Sequence, residues 1–370
     1  MIHVARAVAT AGSQRLRVGL AALVTGLAVS MVLALPAAAA DGSYSTHKLV
    51  ADRAGHAAAR DSSLVNGWGI AAGPSTPWWV ADNGTDRSTL YDGSGSAIPL
   101  VVTVGGGPTG TIYNGTSDFV VSHNADSGPA LFLFASEDGR IRGWNPSVPS
   151  SSPPSTKAFV VVNRSGAGAI YKGLAMASMG GQNFLYATDF HNGRVDVFNG
   201  SFVRQHWAGA FSDPSIPAGF APFGIQAANG MIFVTFAKQD SAAHDEVDGQ
   251  HLGYVDAFAT DGTWIARVAT QGALNAPWGM AWAPDNFGHF SGDLLVGNFG
   301  NGHINAYRLT SGGWMFDGAL RNAHGRAISI DGLWGIGFGN GGAAGPTNNL
   351  YFAAGPGAES HGLFGSVTAN

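Results

Sequence analysis

One short phrase recurs six times along the chain, and it constrains the fold more than any other feature. In each copy a glycine opens a short apolar run, as in NGWGIA (66–71), APFGIQ (221–226) and APWGMA (276–281). The copies are centred on Gly69, Gly110, Gly173, Gly224, Gly279 and Gly335. Self-similarity at a period of about 50 residues is typical of architectures that repeat one supersecondary unit.

Each glycine phrase is followed by a strand-forming run and then by a segment of the form G-x-aliphatic-x-x-aromatic. One example is FLYATD (184–189) with GRVDVF (193–198), and another is MIFVTF (231–236) with GYVDAF (253–258). Alternating β-branched and aromatic residues bounded by Gly, Asn and Asp predict antiparallel hairpins. No stretch after residue 40 has helical periodicity. The repeats therefore predict an all-β, six-bladed β-propeller with four-stranded antiparallel blades.

The two ends of the repeat array predict how the ring closes. The segment SYSTHKLV (43–50) precedes the first unit, and the last unit ends at GLFGSVTAN (362–370) without room for an outer strand. We expect the N-terminal strand to complete the last blade, because this removes the free edges of an open array. Residues 41–370 are then a single propeller domain.

The first 40 residues read as a separate segment. Arg6, Arg15 and Arg17 form a basic start, an apolar run covers 18–35, and alanines at 37–40 precede Asp41. This order predicts a signal peptide cleaved near Ala40–Asp41, and hence a secreted protein. A membrane anchor is the alternative, since the apolar run approaches spanning length. The alanine tail and the abrupt change to polar residues favour cleavage.

Charge and cysteine content exclude several classes of partner and site. Removing the first 40 residues leaves 16 basic and 24 acidic side chains, a net charge of about −8. This balance argues against binding to nucleic acid or to an anionic membrane surface. The chain has no cysteine, which rules out disulfides, thiol catalysis and zinc–thiolate or iron–sulfur sites. We expect the mature chain to be a monomer.

Propeller geometry predicts where a functional site lies. Residues just before each inner strand and just after each second strand gather on one face, around the central channel. The binding residues predicted there are Asn66, Asp82, Asn83, Lys238, Gln239, Asp240, His244 and Asp245. The predicted metal ligands are Glu137, Asp189 and Asn298, whose oxygen atoms suit Ca²⁺ or another divalent cation. The structural alternative is that Asp and Asn at strand ends only form turns.

One unit departs from the pattern. Between the second and third strands of the fourth unit, the turn swells into a polar segment at 237–253. Long polar loops on a rigid scaffold often carry function, and a solvated charged loop is the alternative. The recurring aromatic residue before the glycine, as in Trp68 and Trp278, invites a sugar-stacking interpretation. Because it recurs at the same position in four of the units, we expect it to pack between adjacent blades instead.

Several long phrases resemble a family of uncharacterised secreted bacterial proteins. They are LVNGWGIA (64–71), the A-K-Q-D segment at 237–240, APWGMAWAP (276–284) and FSGDLLVGNFGNGHINAY (290–307). The resemblance covers residues 44–368; Gly67 departs from it, where the family has proline. It implies location and fold but no reaction. More distantly, the repeats are similar to NHL-repeat and lactonase-type six-bladed propellers, a similarity of architecture that does not fix function.

Two functions from different classes fit these observations. The first is a secreted binding module that recognises a small molecule, or an extracellular protein or glycan, through an acidic funnel and the 237–253 segment. The alternative is a metal-dependent, lactonase- or esterase-like hydrolase with a divalent ion in the channel. His191 or Asp240 would then act as general base. No nucleophile elbow, zinc-binding helix motif or P-loop occurs, so the sequence favours binding.

Overall fold

A computed structural model of the chain describes residues 42–370, so the predicted signal peptide lies outside the described residues. This part of the chain forms strands and three short 3₁₀ turns, and no α-helix occurs in it. Nothing within residues 42–370 is a helix of the length and apolar character needed to cross a membrane.

The strands form six small antiparallel sheets, which are the blades of a propeller. Before the first blade come β1 (Tyr44–Ala51) and β2 (Ala59–Arg60). The first blade contains β3 (Gly67–Ala71), β4 (Trp78–Asp82), β5 (Arg87–Tyr91) and β6 (Val102–Thr103). The second begins with β7 (Pro108–Tyr113), carries an inserted hairpin of β8 (Val120–His123) and β9 (Asp126–Pro129), and continues with β10 (Phe132–Ser136), β11 (Arg140–Trp144) and β12 (Phe159–Asn163).

The remaining four blades follow the same order. The third contains β13 (Tyr171–Met179), β14 (Gln182–Asp189), β15 (Arg194–Asn199) and β16 (Arg204–Gln205). The fourth contains β17 (Phe220–Ala228), β18 (Met231–Gln239), the short β19 (Glu246–Val247), β20 (Tyr254–Phe258) and β21 (Trp264–Thr270). The fifth contains β22 (Pro277–Trp282), β23 (Leu294–Asn298), β24 (Ile304–Thr310) and β25 (Gly313–Ala319). The sixth contains β26 (Leu333–Phe338), β27 (Leu350–Ala354) and β28 (Leu363–Ala369).

The ring closes through the N-terminal strand, which confirms the predicted closure. Strand β1 pairs antiparallel with β28, from Tyr44 opposite Ala369 to Ala51 opposite Leu363. The last blade therefore combines three strands from the C-terminal end with β1 from the N-terminal end. Separating the two ends would cost the backbone hydrogen bonds of a whole strand.

The six repeated glycines lie where the inner strands of neighbouring blades touch. A Cβ at Gly224 would lie 2.0 Å from the carbonyl oxygen of Trp278, and one at Gly279 would lie 2.3 Å from that of Trp334. A Cβ at Gly335 would lie 2.6 Å from the carbonyl oxygen of Trp68, which joins the last blade to the first. Only glycine permits backbone to approach backbone this closely. The repeated glycine in the sequence is therefore explained by the contacts between neighbouring inner strands.

The apolar core is divided among the spaces between blades. Between the first and second blades, the ring of Trp79 stacks on Phe132 with centroids 4.2 Å apart. Between the sixth and first blades, Trp78 packs against Tyr351 at 5.3 Å. All four side chains are buried. Each such aromatic contributes about 1.5 to 3 kcal/mol through burial, so the rigidity of the ring comes from these interfaces.

Candidate functional site

The centre of the ring is filled by the residue that precedes each repeated glycine. These residues, here called the channel plug, are Trp68, Thr109, Lys172, Phe223, Trp278 and Trp334. Trp68 stacks on Trp334 at a centroid distance of 3.6 Å and meets Trp278, two blades away, edge-on at 5.8 Å. Contacts between blades that are not neighbours place these side chains on the ring axis. The aromatic residues therefore pack in the channel and not, as we expected, between adjacent blades.

Lys172 is the charged member of the channel plug. Its side chain is fully buried, and its Nζ lies 5.1 Å from the centre of the Trp68 ring, a cation–π distance. Nζ donates to Glu137 Oε1 at 2.5 Å and to Asp245 Oδ1 at 3.1 Å. Burial acts to lower the pKa of Lys172, but the negative charges of Glu137 and Glu246 outweigh it and raise the pKa above its usual value. Lys172 is therefore a buried ammonium ion.

All three glutamates of the chain meet at the end of the channel above Lys172. Glu137, Glu246 and Glu359 lie in the segments that follow the second strands of three different blades, Glu246 in the short strand β19. Together with Asp245 they form what we call the acidic mouth. The charge of Lys172 acts on the pKa of Glu246 and of Glu359, and Glu137 acts on that of Glu359. Three blades thus contribute carboxyl groups to one position on the axis.

Asparagine side chains hold the acidic mouth in place. Asn83 Nδ2 donates to Glu137 Oε2 at 2.9 Å, and Asn66 Nδ2 donates to Glu359 Oε1 at 2.9 Å. The indole Nε1 of Trp334 donates to Asn66 Oδ1 at 3.2 Å, which links the acidic mouth to the channel plug. The two asparagines therefore fix the carboxylates over the aromatic floor.

Two of the glutamates carry shifted pKa values. Burial raises the pKa of Glu246 to about 8, although the charge of Lys172 opposes the shift. Burial likewise raises the pKa of Glu359, partly offset by the hydrogen bond from Asn66, and the charge of Glu137 raises it further. Neither glutamate forms an ion pair within 4 Å among the described residues. The acidic mouth thus holds more carboxyl groups than its one ammonium ion neutralises.

The segment 237–253 folds back over the channel and delivers two members of the acidic mouth. Strand β19 pairs with the end of β18, with Glu246 opposite Gln239. Asp240 Oδ1 accepts the backbone N–H groups of Ala242 and His244, and the Asp240 N–H donates to the Asp245 carbonyl at 2.8 Å. This tight hairpin carries Asp245 and Glu246 to Lys172. The unit that departs from the repeat is therefore the one that covers the channel.

The structure separates the predicted binding residues into two groups. Asn66, Asn83 and Asp245 belong to the network around Lys172, and His244 Nδ1 lies 2.8 Å from Asp245 Oδ1. The other group is Asp82, Lys238, Gln239 and Asp240. Asp82 is fully buried in the first blade, where burial raises its pKa well above the usual value. Lys238 is exposed, and Gln239 donates to the carbonyl of Phe190 at 2.6 Å.

The two residues predicted as catalytic bases fix the loop. Asp240 forms the turn described above, and His191 Nδ1 lies 3.2 Å from the carbonyl of Ala243. Both contacts involve the backbone of segment 237–253. The structure thus gives each residue a role in shaping the acidic mouth.

The predicted metal ligands Glu137, Asp189 and Asn298 have separate hydrogen-bond partners. Asp189 accepts from Asn192 at 2.8 Å and pairs with Arg194 at 3.0 Å, both in the adjoining turn of its own blade. Asn298 Nδ2 donates to the carbonyl of Ala273 at 2.8 Å. Asp189 and the Asn298 amide nitrogen are thus held by neighbouring residues, and a shared metal site of the three stays a prediction.

A different trio lies at the acidic mouth. One ligand atom each of Glu137, His244 and Asp245 lies within 4.8 Å of the others, a spacing that suits a metal ion. The ammonium group of Lys172 already bonds to both of these carboxylates. A cation at this position would therefore have to share the carboxylates with Lys172.

Sequence reasoning missed three members of this site. Lys172, Glu246 and Glu359 were not among the predicted binding residues, although the structure places them at its centre. The available signal was the rarity of glutamate, which occurs only three times in the chain. Residues of a rare type that fall in equivalent loops of different repeats mark a shared position on the ring.

Comparison with known proteins identifies relatives along most of the chain. No known family model matches it. Uncharacterized protein R648 of Acanthamoeba polyphaga mimivirus is 32% identical over 334 residues, which cover 86% of this chain and 78% of that protein. Uncharacterized protein L690 of the same virus is 31% identical over 339 residues, which cover 88% of this chain and 85% of that protein. The chain belongs to the family of these two proteins. Both are viral, and the bacterial membership inferred from LVNGWGIA stays a prediction.

Solved structures with the same fold are more distant in sequence. The soluble aldose sugar dehydrogenase of Escherichia coli in its apo form has a TM-score of 0.52 at 13% identity, covering 89% of this chain and all of that one (100%). A glucose dehydrogenase has a TM-score of 0.53 at 12% identity, and the match covers 88% of this chain and 100% of the dehydrogenase. A streptogramin B lyase has a TM-score of 0.50 at 12% identity, and the match covers 89% of this chain and 98% of the lyase. At such identities the similarity shows a six-bladed propeller fold alone.

Proposed function

We propose that this protein is a binding module that captures a cationic group at the acidic mouth. The observation that carries the proposal is the convergence of Glu137, Asp245, Glu246 and Glu359 on the single ammonium ion of Lys172. Carboxylates are stabilised by a nearby opposite charge, and one ammonium ion does not balance all four acids once they are ionised. A divalent cation such as Ca²⁺, or the ammonium group of a small organic molecule, supplies the missing positive charge.

Binding of a cation at this position is coupled to proton release. Because the pKa of Glu246 lies near 8, its carboxyl group is mostly protonated at neutral pH. A positive charge beside it lowers that pKa and drives off the proton. The affinity for a cation should therefore rise as the pH increases through 8. This pH dependence distinguishes the acidic mouth from surface carboxylates, which are ionised at neutral pH already.

Binding explains the arrangement better than hydrolysis. A hydrolase that uses a metal ion needs open coordination positions and a free general base. Here Lys172 bonds to the carboxylates of Glu137 and Asp245, and the hydrogen bonds of His191 and Asp240 hold the loop. The predicted signal peptide supports an extracellular place of action, where a small molecule, a protein or a glycan carries the cationic group.

Isothermal titration calorimetry with two probes tests the proposal. CaCl₂ and putrescine, each titrated at pH 7 and pH 9, separate a metal ion from an organic ammonium group. We expect one of them to bind with a stoichiometry of one, and more tightly at pH 9. The double variant Glu246→Gln and Glu359→Gln should weaken that binding at least about tenfold. Asp285, which is exposed, provides the matched control in Asp285→Asn.

Two outcomes would contradict the proposal. One is that neither cation binds at either pH while the protein stays folded. The other is that the double variant binds as tightly as the wild-type protein, because the site would then lie elsewhere.

A further inference from the structure

The opposite end of the channel has a different chemistry. Below the repeated glycines the channel opens into a cavity of about 420 Å³. Its lining comes from the last residues of the inner strands, among them Tyr113, Met176, Gln226, Met280, Trp282 and Phe338. We call this end the apolar mouth, after the aromatic and aliphatic side chains at its rim. A volume in this range is typical of sites for small molecules.

The apolar mouth carries no charge. None of the described residues that line the cavity is Asp, Glu, Lys, Arg or His. The rim residues Tyr113, Met176, Trp282 and Phe338 are each half-buried, and each lies three positions after a repeated glycine, in four different blades. Four large uncharged side chains from four of the six blades thus line one opening. An ionised ligand would lose its hydration here without gaining an opposite charge.

The wall behind this rim offers hydrogen bonds. Each inner strand is the edge strand of its blade, because its sheet partner lies only on the outer side. Its remaining N–H and C=O groups therefore face the channel, as those of any edge strand face away from the sheet. A smaller cavity of about 40 Å³ continues along these strands toward the channel plug, between Gly69, Gly173 and Gly279. The floor is thus polar backbone, and the rim is aromatic and aliphatic.

We propose that the apolar mouth binds a neutral aromatic small molecule that inserts a hydrogen-bonding group toward the backbone floor. Aromatic and aliphatic rim residues favour the ring of such a ligand, and the backbone groups favour its polar end. The absence of charge in the lining selects against ionised ligands. This site is independent of the acidic mouth, since the buried channel plug lies between them.

Fluorescence titration with N-phenyl-1-naphthylamine tests this site. The probe is neutral, aromatic and carries one N–H group, and its emission rises in an apolar environment. We expect saturable binding with a stoichiometry of one. The anionic probe 8-anilinonaphthalene-1-sulfonate should bind at least about tenfold more weakly. Non-saturable binding, or equal affinity for the anionic probe, would overturn the proposal.

Two variants locate the probe. Gln226 is exposed and lines the cavity, so Gln226→Trp fills the opening without disturbing the core. Met176→Glu places a charge on the rim and offers a second measurement should the first variant fold poorly. Each should raise the Kd at least about tenfold. Gln182, which is exposed and outside this lining, gives the matched control Gln182→Trp. Unchanged probe affinity in both folded variants would overturn the assignment.

The acidic mouth supplies an internal control. The double variant Glu246→Gln and Glu359→Gln should leave the affinity for N-phenyl-1-naphthylamine unchanged. A loss of probe binding in that variant would mean that the probe binds at the acidic mouth. Failure of this proposal and failure of the cation-binding proposal are therefore separate results.

Discussion

The two mouths of the channel are built from the same six inner strands, yet they present opposite chemistry. At the acidic mouth, loops from three blades bring four carboxyl groups onto the buried ammonium ion of Lys172. At the apolar mouth, strand residues form an uncharged rim around a cavity of about 420 Å³. One end is filled by side chains from inserted or irregular loops, and the other is left open by the strands themselves.

This difference shows how a repeat fold acquires function. The apolar mouth follows the repeat, because each rim residue occupies the same position after a repeated glycine. The acidic mouth depends on departures from the repeat, above all the hairpin that carries Asp245 and Glu246. A lysine also stands where four of the other five blades place Trp or Phe. The regular part sets the size of the channel, and the irregular part sets its charge.

Disturbing the inner strands, which form the channel between the two mouths, should have the largest effect on stability. A Cβ at Gly224 would meet the carbonyl oxygen of Trp278 at 2.0 Å, and a backbone atom in a strand cannot move aside cheaply. Gly224→Ala should therefore lower the free energy of unfolding by about 4 kcal/mol. Gly166→Ala is the control, because nothing lies within 4 Å of a Cβ there. Urea denaturation measures both, and similar stability of the two variants would show that the ring tolerates the side chain.

Removing the ammonium ion should damage the acidic mouth alone. Lys172→Met leaves Glu137 beside Asp245 without a counter-charge, which should cost about 2.5 kcal/mol, less than for a fully buried pair because both carboxylates reach solvent. The loss should be seen in urea denaturation at pH 7 and should shrink at pH 4, where the carboxylates gain protons. Binding of N-phenyl-1-naphthylamine at the apolar mouth should persist.

The exposed Lys238 serves as the control for this experiment. It forms no ion pair within 4 Å among the described residues, so Lys238→Met should change stability by less than about 0.5 kcal/mol. Equal stability of the two methionine variants would mean that Lys172 acts only as a spacer in the channel plug.

The repeat made the fold predictable but not the orientation of the plug. The glycine spacing predicts six blades, and the unpaired N-terminal segment predicts the closure seen between β1 and β28. For the aromatic residues that precede four of the six glycines, the sequence predicts packing between adjacent blades. In the structure the strand register shifts at this point, between Gly67 and Ile70 in the first blade, and the side chain of Trp68 points to the axis. A local shift of this kind has no signature in residue spacing.

The candidate site was only partly predictable for a related reason. Asn66 and Asn83 lie at positions that the repeat aligns, and they do meet at the acidic mouth. Asp189 lies at an aligned position too, but Asn192 and Arg194 hold it in its own turn. Glu359 reaches the site from the fifth position after β27, whereas Glu137 directly follows β10, so the repeat does not align these two residues. The repeat predicts which residues share a face, whereas local hydrogen bonds decide which of them reach the axis.

The smallest effect that we expect is a pH dependence of the protein's stability, which arises at the acidic mouth and not at the uncharged apolar mouth. An acid whose pKa is higher in the folded protein keeps a proton that the unfolded chain has lost, so stability falls as pH rises between the two values. For Glu246 this interval runs from the usual 4.5 to about 8. Glu246→Gln should therefore be more stable than the wild-type protein at pH 9, by about 2 kcal/mol, and no more stable at pH 4. Thermal unfolding across this range measures the difference, with Asp285→Asn as control. Parallel pH profiles for the variant and the wild-type protein would show that Glu246 titrates normally, and the acidic mouth would then attract cations no differently at pH 7 and pH 9.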